Sequence, residues 1–200
     1  MLLFPLTIVL GLSIGRLRGG RFRNLASVHL RRPGVVVAAV ALQAGMGALD
    51  VGATARWLAL VGSYALIGLW LAVNLTDRPT WFRVGIACLA LGYGLNVAAI
   101  VPNGDMPVSA AALRRAGGSE GALHQAPNLD KHVTFEDPGG WSWLGDVVPV
   151  PALRVVVSIG DLALLGGVLT VLSGGMAARG TGSSQPRKGS HGRPAPTLAA

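Results

Sequence analysis

One aspartate, Asp161, lies inside the last apolar stretch of this sequence. An ionised aspartate at the centre of a membrane helix costs about 2.5–3.5 kcal/mol on insertion scales. Such a side chain must therefore be hydrogen-bonded, protonated or exposed to water. It could relay a proton or cation, or anchor a polar ligand. It could equally hold helices together through Asn96, Gln43 or a tyrosine hydroxyl, and the sequence leaves both roles open.

Other polar side chains recur at similar depths in the remaining apolar stretches. With a rise of 1.5 Å per residue, Asp161 lies about 12–14 Å below the outer end of its stretch. Asn96 and Gln43 lie roughly 8 and 10 Å below the outer ends of theirs. Ser158 is one helical turn above Asp161. We therefore predict one polar layer and a candidate ligand site in the outer half of the membrane, formed by Asp161, Asn96, Gln43, Tyr93, Tyr64 and Ser158.

Five apolar stretches must position these residues. The chain is 51% hydrophobic and only 13% charged, whereas a typical soluble domain carries about 25% charged residues. About 20 apolar residues span a bilayer as a helix. We therefore predict an all-α integral membrane protein in which residues 1–175 form one domain. Its five transmembrane helices are predicted at about 2–15, 33–50, 57–75, 82–101 and 152–173.

The arginines predict the orientation of these helices. Cytoplasmic loops carry an excess of Lys and Arg, and here six arginines follow the first stretch within residues 15–32. The turn at 76–81 contains Arg78, Arg83 lies at the edge of the helix that follows, and both are predicted to be on the same side as these six arginines. This pattern predicts an N-out, C-in protein of the bacterial cytoplasmic (inner) membrane, with a disordered basic tail at 176–200. The net charge of +8 is then a signal of topology, and no nucleic-acid partner is expected.

The segment 102–151 is predicted to be a long outer loop. A loop of this length is usually functional or disordered, and Ser109 is a plausible N-cap for a short helix through Arg115. Its acidic residues lack the spacing of a metal-binding loop, so no metal site or cofactor is predicted. Catalytic motifs are also missing from the sequence. The loop residues singled out as a motif are Asn103, Asp105, Pro107 and Asp146.

Four segments carry a resemblance to a known family. They are Gly19–Leu25, Asn103–Ser109, Trp143–Pro149 and Ser158–Asp161. Together they resemble the small bacterial multi-pass family catalogued as domain of unknown function 5317, over roughly residues 1–175. The resemblance implies that the segments at 103–109 and 158–161 belong to the pattern of the family. It implies no activity.

Three functions follow from these observations. The first is a non-enzymatic protein that binds or translocates a small polar or cationic ligand in an outward-facing polar pocket, with Asp161 as anchor and Asn96 and Gln43 in support. The second is an accessory subunit whose outer loop or basic tail docks a partner membrane complex. The third is an enzyme acting on lipid headgroups of the outer leaflet, with Asp161 or Asp105 as base.

Overall fold

The structure, a computed structural model, describes residues 3–48, 52–103, 105–118, 132–135 and 141–178. This part of the chain is mainly helical and also contains a small sheet. The helices are α1 (Leu3–Leu17), α2 (Gly34–Ala48), α3 (Ala53–Leu75), α4 (Thr80–Asn103), α5 (Ala110–Arg115) and α6 (Ile159–Ala177). The strands are β1 (Met106–Ser109), β2 (His132–Phe135), β3 (Asp146–Val150) and β4 (Val155–Ser158).

Three of the described helices, α3, α4 and α6, are long and apolar enough to cross a membrane, with 23, 24 and 19 residues. Helices α1 and α2 are also apolar but have 15 residues each. At 1.5 Å per residue they reach about 22 Å, which is shorter than the roughly 30 Å hydrocarbon core. The composition and the three long helices are those of a membrane protein, and five complete spans stay a prediction.

The main helix contacts run in the spatial order α2, α3, α4, α6, α1. The most extensive contact is between α4 and α6, where glycines let the two backbones approach closely. A Cβ atom on Gly85 would lie 2.5 Å from Cγ2 of Val171, and one on Gly167 would lie 2.7 Å from Cγ of Leu89. Both distances are too short for real Cβ contacts, so any larger residue would push the helices apart. Helix α6, the last of the described helices, is therefore packed between α4 and α1.

A four-stranded sheet, with strand order β2-β1-β3-β4, adjoins the ends of α4 and α6. Strand β1 pairs in parallel with β2 and β3, and β3 pairs antiparallel with β4. Buried Leu144 and Met106 pack on Ala99 of α4, which fixes the sheet against the helices. We call the sheet together with α5 the cap. Its presence corrects the prediction of an all-α fold, and it shows that the described residues of segment 102–151 include strands β1, β2 and β3 as well as helix α5.

The predicted start of the fifth helix, at residue 152, is wrong. Pro151–Leu153 forms a 3₁₀ turn, Arg154 adopts left-handed backbone angles, and Val155–Ser158 is strand β4. The run of β-branched valines fits a pleated strand, and it pairs with Val148–Val150 of β3. Helix α6 therefore begins only at Ile159 and continues to Ala177, past the predicted end at 173.

The other predicted helices agree with the structure to within a few residues. Ser109 is confirmed as an N-cap, since its Oγ accepts a hydrogen bond from the Ala112 amide at 3.3 Å. Helix α4 runs through Pro102 to Asn103, so the segment 103–109 is a helix end followed by a strand. Residues 179–200, which include nearly all of the predicted tail, lie outside the described residues, as do 119–131 and 136–140.

Candidate functional site

Asp161 lies in the first turn of α6, not at mid-helix. Ser158 is the N-cap, and its Oγ accepts a hydrogen bond from the Asp161 amide at 2.8 Å. The Asp161 carboxylate in turn accepts one from the Ser158 amide at 3.3 Å. This reciprocal capping box satisfies two backbone donors that the helix itself leaves unpaired. A negative charge here also interacts favourably with the helix dipole, so the carboxylate stabilises the start of α6.

Asn96 connects this capping box to α4. Its Nδ2 donates to Oδ1 of Asp161 at 2.8 Å, and its Oδ1 accepts from the hydroxyl of Ser158 at 2.9 Å. Asn96 therefore uses both ends of its amide across the contact between α4 and α6. The network needs close backbones, because a Cβ on Gly160 would collide with Oδ1 of Asn96. Of the proposed partners of Asp161, the structure selects Asn96.

A second carboxyl, that of Asp146, adjoins this network from the cap. Asp146 is the first residue of β3 and is in register with Val108 of β1 and with Ser158 of β4. It is only 8% exposed. Burial, with a smaller contribution from the charge of Asp161, raises the pKa of the Asp146 carboxyl from 3.8 to about 7. The charge of Asp161 thus acts on Asp146 at the place where the cap meets α6, and we call these two residues the carboxyl pair.

The other members of the predicted polar layer form separate pairs. Gln43 of α2 donates through Nε2 to Oγ of Ser63 in α3 at 2.7 Å. The hydroxyl of Tyr93 donates to the backbone carbonyl of Tyr64 at 2.9 Å, and the two rings meet edge to face with centroids 5.7 Å apart. Each pair links two neighbouring helices, α2 to α3 and α3 to α4. The structure therefore does not bring Gln43, Tyr64 or Tyr93 together with Asp161.

The remaining residues of the predicted loop motif have structural positions. Asn103 donates through Nδ2 to the Ala99 carbonyl at 2.7 Å, within the last turn of α4. Pro107 is buried in β1, and its carbonyl oxygen occupies the space that a side chain on Gly145 would need. Asp105 is half-buried between α4 and β1. Only Asp146 of this motif reaches the capping box.

Two grooves on the described part of the chain are lined mainly by apolar side chains. One, of about 430 Å³, lies between α3 and α4 beside Tyr64 and Tyr93. The other, of about 490 Å³, lies on α1 near its C-terminus. Neither is lined by the carboxyl pair. The described residues also contain no group of three or more His, Cys, Asp or Glu arranged to hold a metal.

Sequence reasoning missed two features of this site. Ser158–Asp161 matches the capping pattern of Ser or Thr followed three residues later by an acid, and this could have placed the start of α6 correctly. The pairing of Asp146 with the capping box had no local signal, since it depends on strand register over a distance in sequence.

No curated protein and no solved structure matches the chain. A family of unknown function, DUF5317, matches residues 27–173. The match covers α2 to α6 and includes Asn96, Asp146 and the capping box, whereas α1 and the segment Gly19–Leu25 precede it. The chain thus belongs to the family of unknown function DUF5317, as its sequence motifs predicted.

Proposed function

We propose that this protein is a multi-pass protein of the bacterial cytoplasmic membrane that binds a small cation at the carboxyl pair. The proposed orientation places the cap outside and the C-terminus of α6 inside. This orientation is supported by charge. Helices α2, α3, α4, α6 and α1 pack side by side as a row, and the side of this row opposite the cap, formed by helix termini and connecting segments, carries eight arginines in the described residues. The excess of positive charge is expected on the cytoplasmic side.

The observation that carries the proposal is the burial of Asp146 beside a second carboxylate. Two nearby carboxylates in a poorly hydrated site cannot both ionise without cost. Either a proton or a cation lowers that cost. The raised pKa of Asp146, about 7, means that a proton and a cation compete for the site near neutral pH.

The chemistry of the site favours a hard cation. Carboxylate oxygens are among the ligands that Ca²⁺ and similar cations prefer, and the site offers the carboxyl groups of Asp146 and Asp161. Gln43, which was predicted to support the ligand, contacts α3 instead and has no part in this proposal. Translocation is not part of this proposal.

The test is calorimetric titration of the purified full chain with Ca²⁺ and Na⁺ in a mild detergent. We expect binding at pH 8 that weakens about tenfold at pH 6, because a proton then occupies Asp146. Asp146→Asn should abolish the binding and its pH dependence. Asp77→Asn is the matched control, since Asp77 is an exposed aspartate at the opposite end of the helix row. Binding that is unchanged in Asp146→Asn, or absent from the wild type, would refute the proposal.

A second candidate function is that of an accessory subunit, and it is favoured by the large exposed surface of the long helices. In the apolar segments of α3, α4 and α6, only 22%, 22% and 28% of the residues are buried within the chain. On the cap, Trp141 and Trp143 are 59% and 52% exposed. A partner in the membrane complex would cover these surfaces. Mild-detergent pull-downs should then recover a stoichiometric partner that is lost in a Trp141→Ala/Trp143→Ala double variant, and a monodisperse protein without a partner would refute it.

The enzymatic alternative gains no comparable support. Asp161 accepts hydrogen bonds from Asn96 and from the Ser158 amide, so its carboxylate oxygens are engaged in the capping network. Turnover of an outer-leaflet lipid that depends on Asp161 or Asp105 would be needed to establish it.

A further inference from the structure

The helix termini on the side of the cap and those on the opposite side differ in charge. The end formed by the C-termini of α1, α3 and α6 and the N-terminus of α4, hereafter the arginine-rich end, has one described aspartate, Asp77. The cap end has four described arginines against Asp105, Asp146 and Asp161. Anionic groups are therefore attracted to the arginine-rich end. Its eight described arginines are Arg16, Arg18, Arg21, Arg23, Arg31, Arg32, Arg78 and Arg83.

The groove on α1 opens at this end and faces away from the other helices. Gly11 and Gly15 on one face of α1 are buried, and a Cβ on either would contact Leu172 or Met176 of α6. Positions 9, 12, 13 and 16 lie on another face of the helix, where turns of 3.6 residues bring them together. The groove of about 490 Å³ is lined by Val9, Leu12, Ser13, Arg16, Leu17 and Phe22.

The segment around Phe22 forms one wall of this groove, and hydrogen bonds to α6 hold it in place. Phe22 begins a 3₁₀ helix, Phe22–Ser27. The Met176 carbonyl in α6 accepts hydrogen bonds from the Arg21 amide at 3.0 Å and from Nδ2 of Asn24 at 2.8 Å. Phe22 and Leu17 are nevertheless 60% and 87% exposed. An ordered but exposed apolar wall is a surface that another apolar molecule can cover.

Arg16 places a cation at the mouth of the groove. Its Nη1 donates to the Gly20 carbonyl at 3.2 Å, which orients the guanidinium. That group has five N–H donors, and the described residues use one of them. A guanidinium binds a phosphate through paired, charge-assisted hydrogen bonds. Basic pockets beside membrane helices on the cytoplasmic side are known to bind anionic lipid headgroups.

We propose that this groove binds an anionic phospholipid from the leaflet at the arginine-rich end. The phosphate interacts with Arg16, and one acyl chain lies along Val9, Leu12 and Ser13 against Phe22. The inference relies on the membrane placement of α1. It does not rely on cation binding at the carboxyl pair, which lies at the cap end of the helices.

The test is native mass spectrometry of the full chain in mild detergent, titrated with dioleoylphosphatidylglycerol or dioleoylphosphatidylcholine. These lipids share their acyl chains and differ in headgroup charge. We expect each protein to bind at least one phosphatidylglycerol molecule, and to bind it more tightly than it binds phosphatidylcholine. Arg16→Gln should weaken phosphatidylglycerol binding about tenfold, which is the size of one charge-assisted interaction. Arg83→Gln, at the same end but outside the groove, should change it less than twofold.

A second variant tests the place of the acyl chain. Ser13→Trp fills the groove without changing the charge, and it should weaken the binding of both lipids. The proposal is overturned if the two lipids bind equally, or if Arg16→Gln and Arg83→Gln have equal effects, which would indicate diffuse attraction only. It is also overturned if Ser13→Trp leaves phosphatidylglycerol binding unchanged.

Discussion

Helix α4 makes two contacts of very different quality. Against α6, a Cβ on Gly92 would lie 2.7 Å from the Leu164 amide nitrogen, so the backbones are in close contact. Against α3, Gly68 and Gly94 have no atom within 4 Å of such a Cβ, and a groove of about 430 Å³ remains. All three helices are similarly apolar. Hydrophobicity therefore does not distinguish the two contacts, whereas glycines that face a neighbouring helix decide how closely the helices pack.

The largest effect should follow from Gly160→Ala. The new Cβ would collide with Oδ1 of Asn96 and lie 2.7 Å from the Gly92 carbonyl oxygen. Overpacking of this kind costs about 1–3 kcal/mol, and loss of the Asn96 network adds to that cost. We expect most of the folded protein to be lost, as measured by thermal unfolding and size-exclusion profiles in mild detergent.

Gly166→Ala provides the control, because nothing lies within 4 Å of a Cβ at that position in the same helix. It should be neutral or stabilise by up to about 1 kcal/mol, since alanine favours a helix over glycine. Equal damage from both substitutions would show that the contact between α4 and α6 is not the close one.

A pair of smaller substitutions compares the polar contacts of the two interfaces. Asn96→Ala removes one hydrogen-bond partner from Asp161 and one from Ser158, at a cost of about 1–3 kcal/mol. Tyr93→Phe removes one hydrogen bond to the Tyr64 carbonyl, at a cost of about 0.5–1.5 kcal/mol. Denaturation of both variants measures the loss in the free energy of unfolding. A larger loss in Tyr93→Phe than in Asn96→Ala would contradict the expectation that the contact between α4 and α6 is the stronger one.

The pH dependence of stability should reveal Asp146. Its pKa is raised to about 7 by burial and by the charge of Asp161, so the folded state holds its proton to a higher pH than the unfolded state. Stability from this group is then full below pH 4 and falls as the pH rises to 7. Between pH 6 and 8 we expect a loss of about 1 kcal/mol in the wild type.

Asp146→Asn should remove this slope, because an asparagine does not ionise. Asp77→Asn should retain it. Unfolding temperatures measured from pH 5 to 8 test the expectation, and a wild type whose stability rises over this range would contradict the sign.

The smallest effect is expected at the arginine-rich end. Oδ2 of Asp77 lies 3.6 Å from Nη2 of Arg31, and the Asp77 side chain is 85% exposed. Such surface pairs contribute less than about 1 kcal/mol. Asp77→Asn should therefore leave the unfolding temperature within a degree or two of the wild type, and a large drop would show that this end is more tightly held than its exposure indicates.

The sequence predicted those parts of the fold that depend on local patterns. The apolar runs of α3 and α4 have the length of a membrane span, and Ser109 has the position of an N-cap. Each of these follows from residue type and spacing along one segment.

The features that the sequence did not predict depend on contacts between segments, which residue spacing does not encode. The valines at 155–157 continue an apolar run, and only their pairing with β3 makes them a strand. Asp146 meets Ser158 through the same pairing. Gly92 and Gly94 are equivalent in the sequence, yet one faces α6 and the other faces open space.

The position of α6 between α4 and α1 has a consequence for biogenesis. Helix α1 is synthesised first, but the surface that buries Gly11 and Gly15 belongs to the last helix. At roughly 5–20 residues per second, translation leaves α1 without this neighbour for on the order of ten seconds. During that time the face of α1 that carries Gly11 and Gly15 lacks its native neighbour. A ribosome stalled before Ile159 would therefore produce a chain whose first helix has no native place to dock.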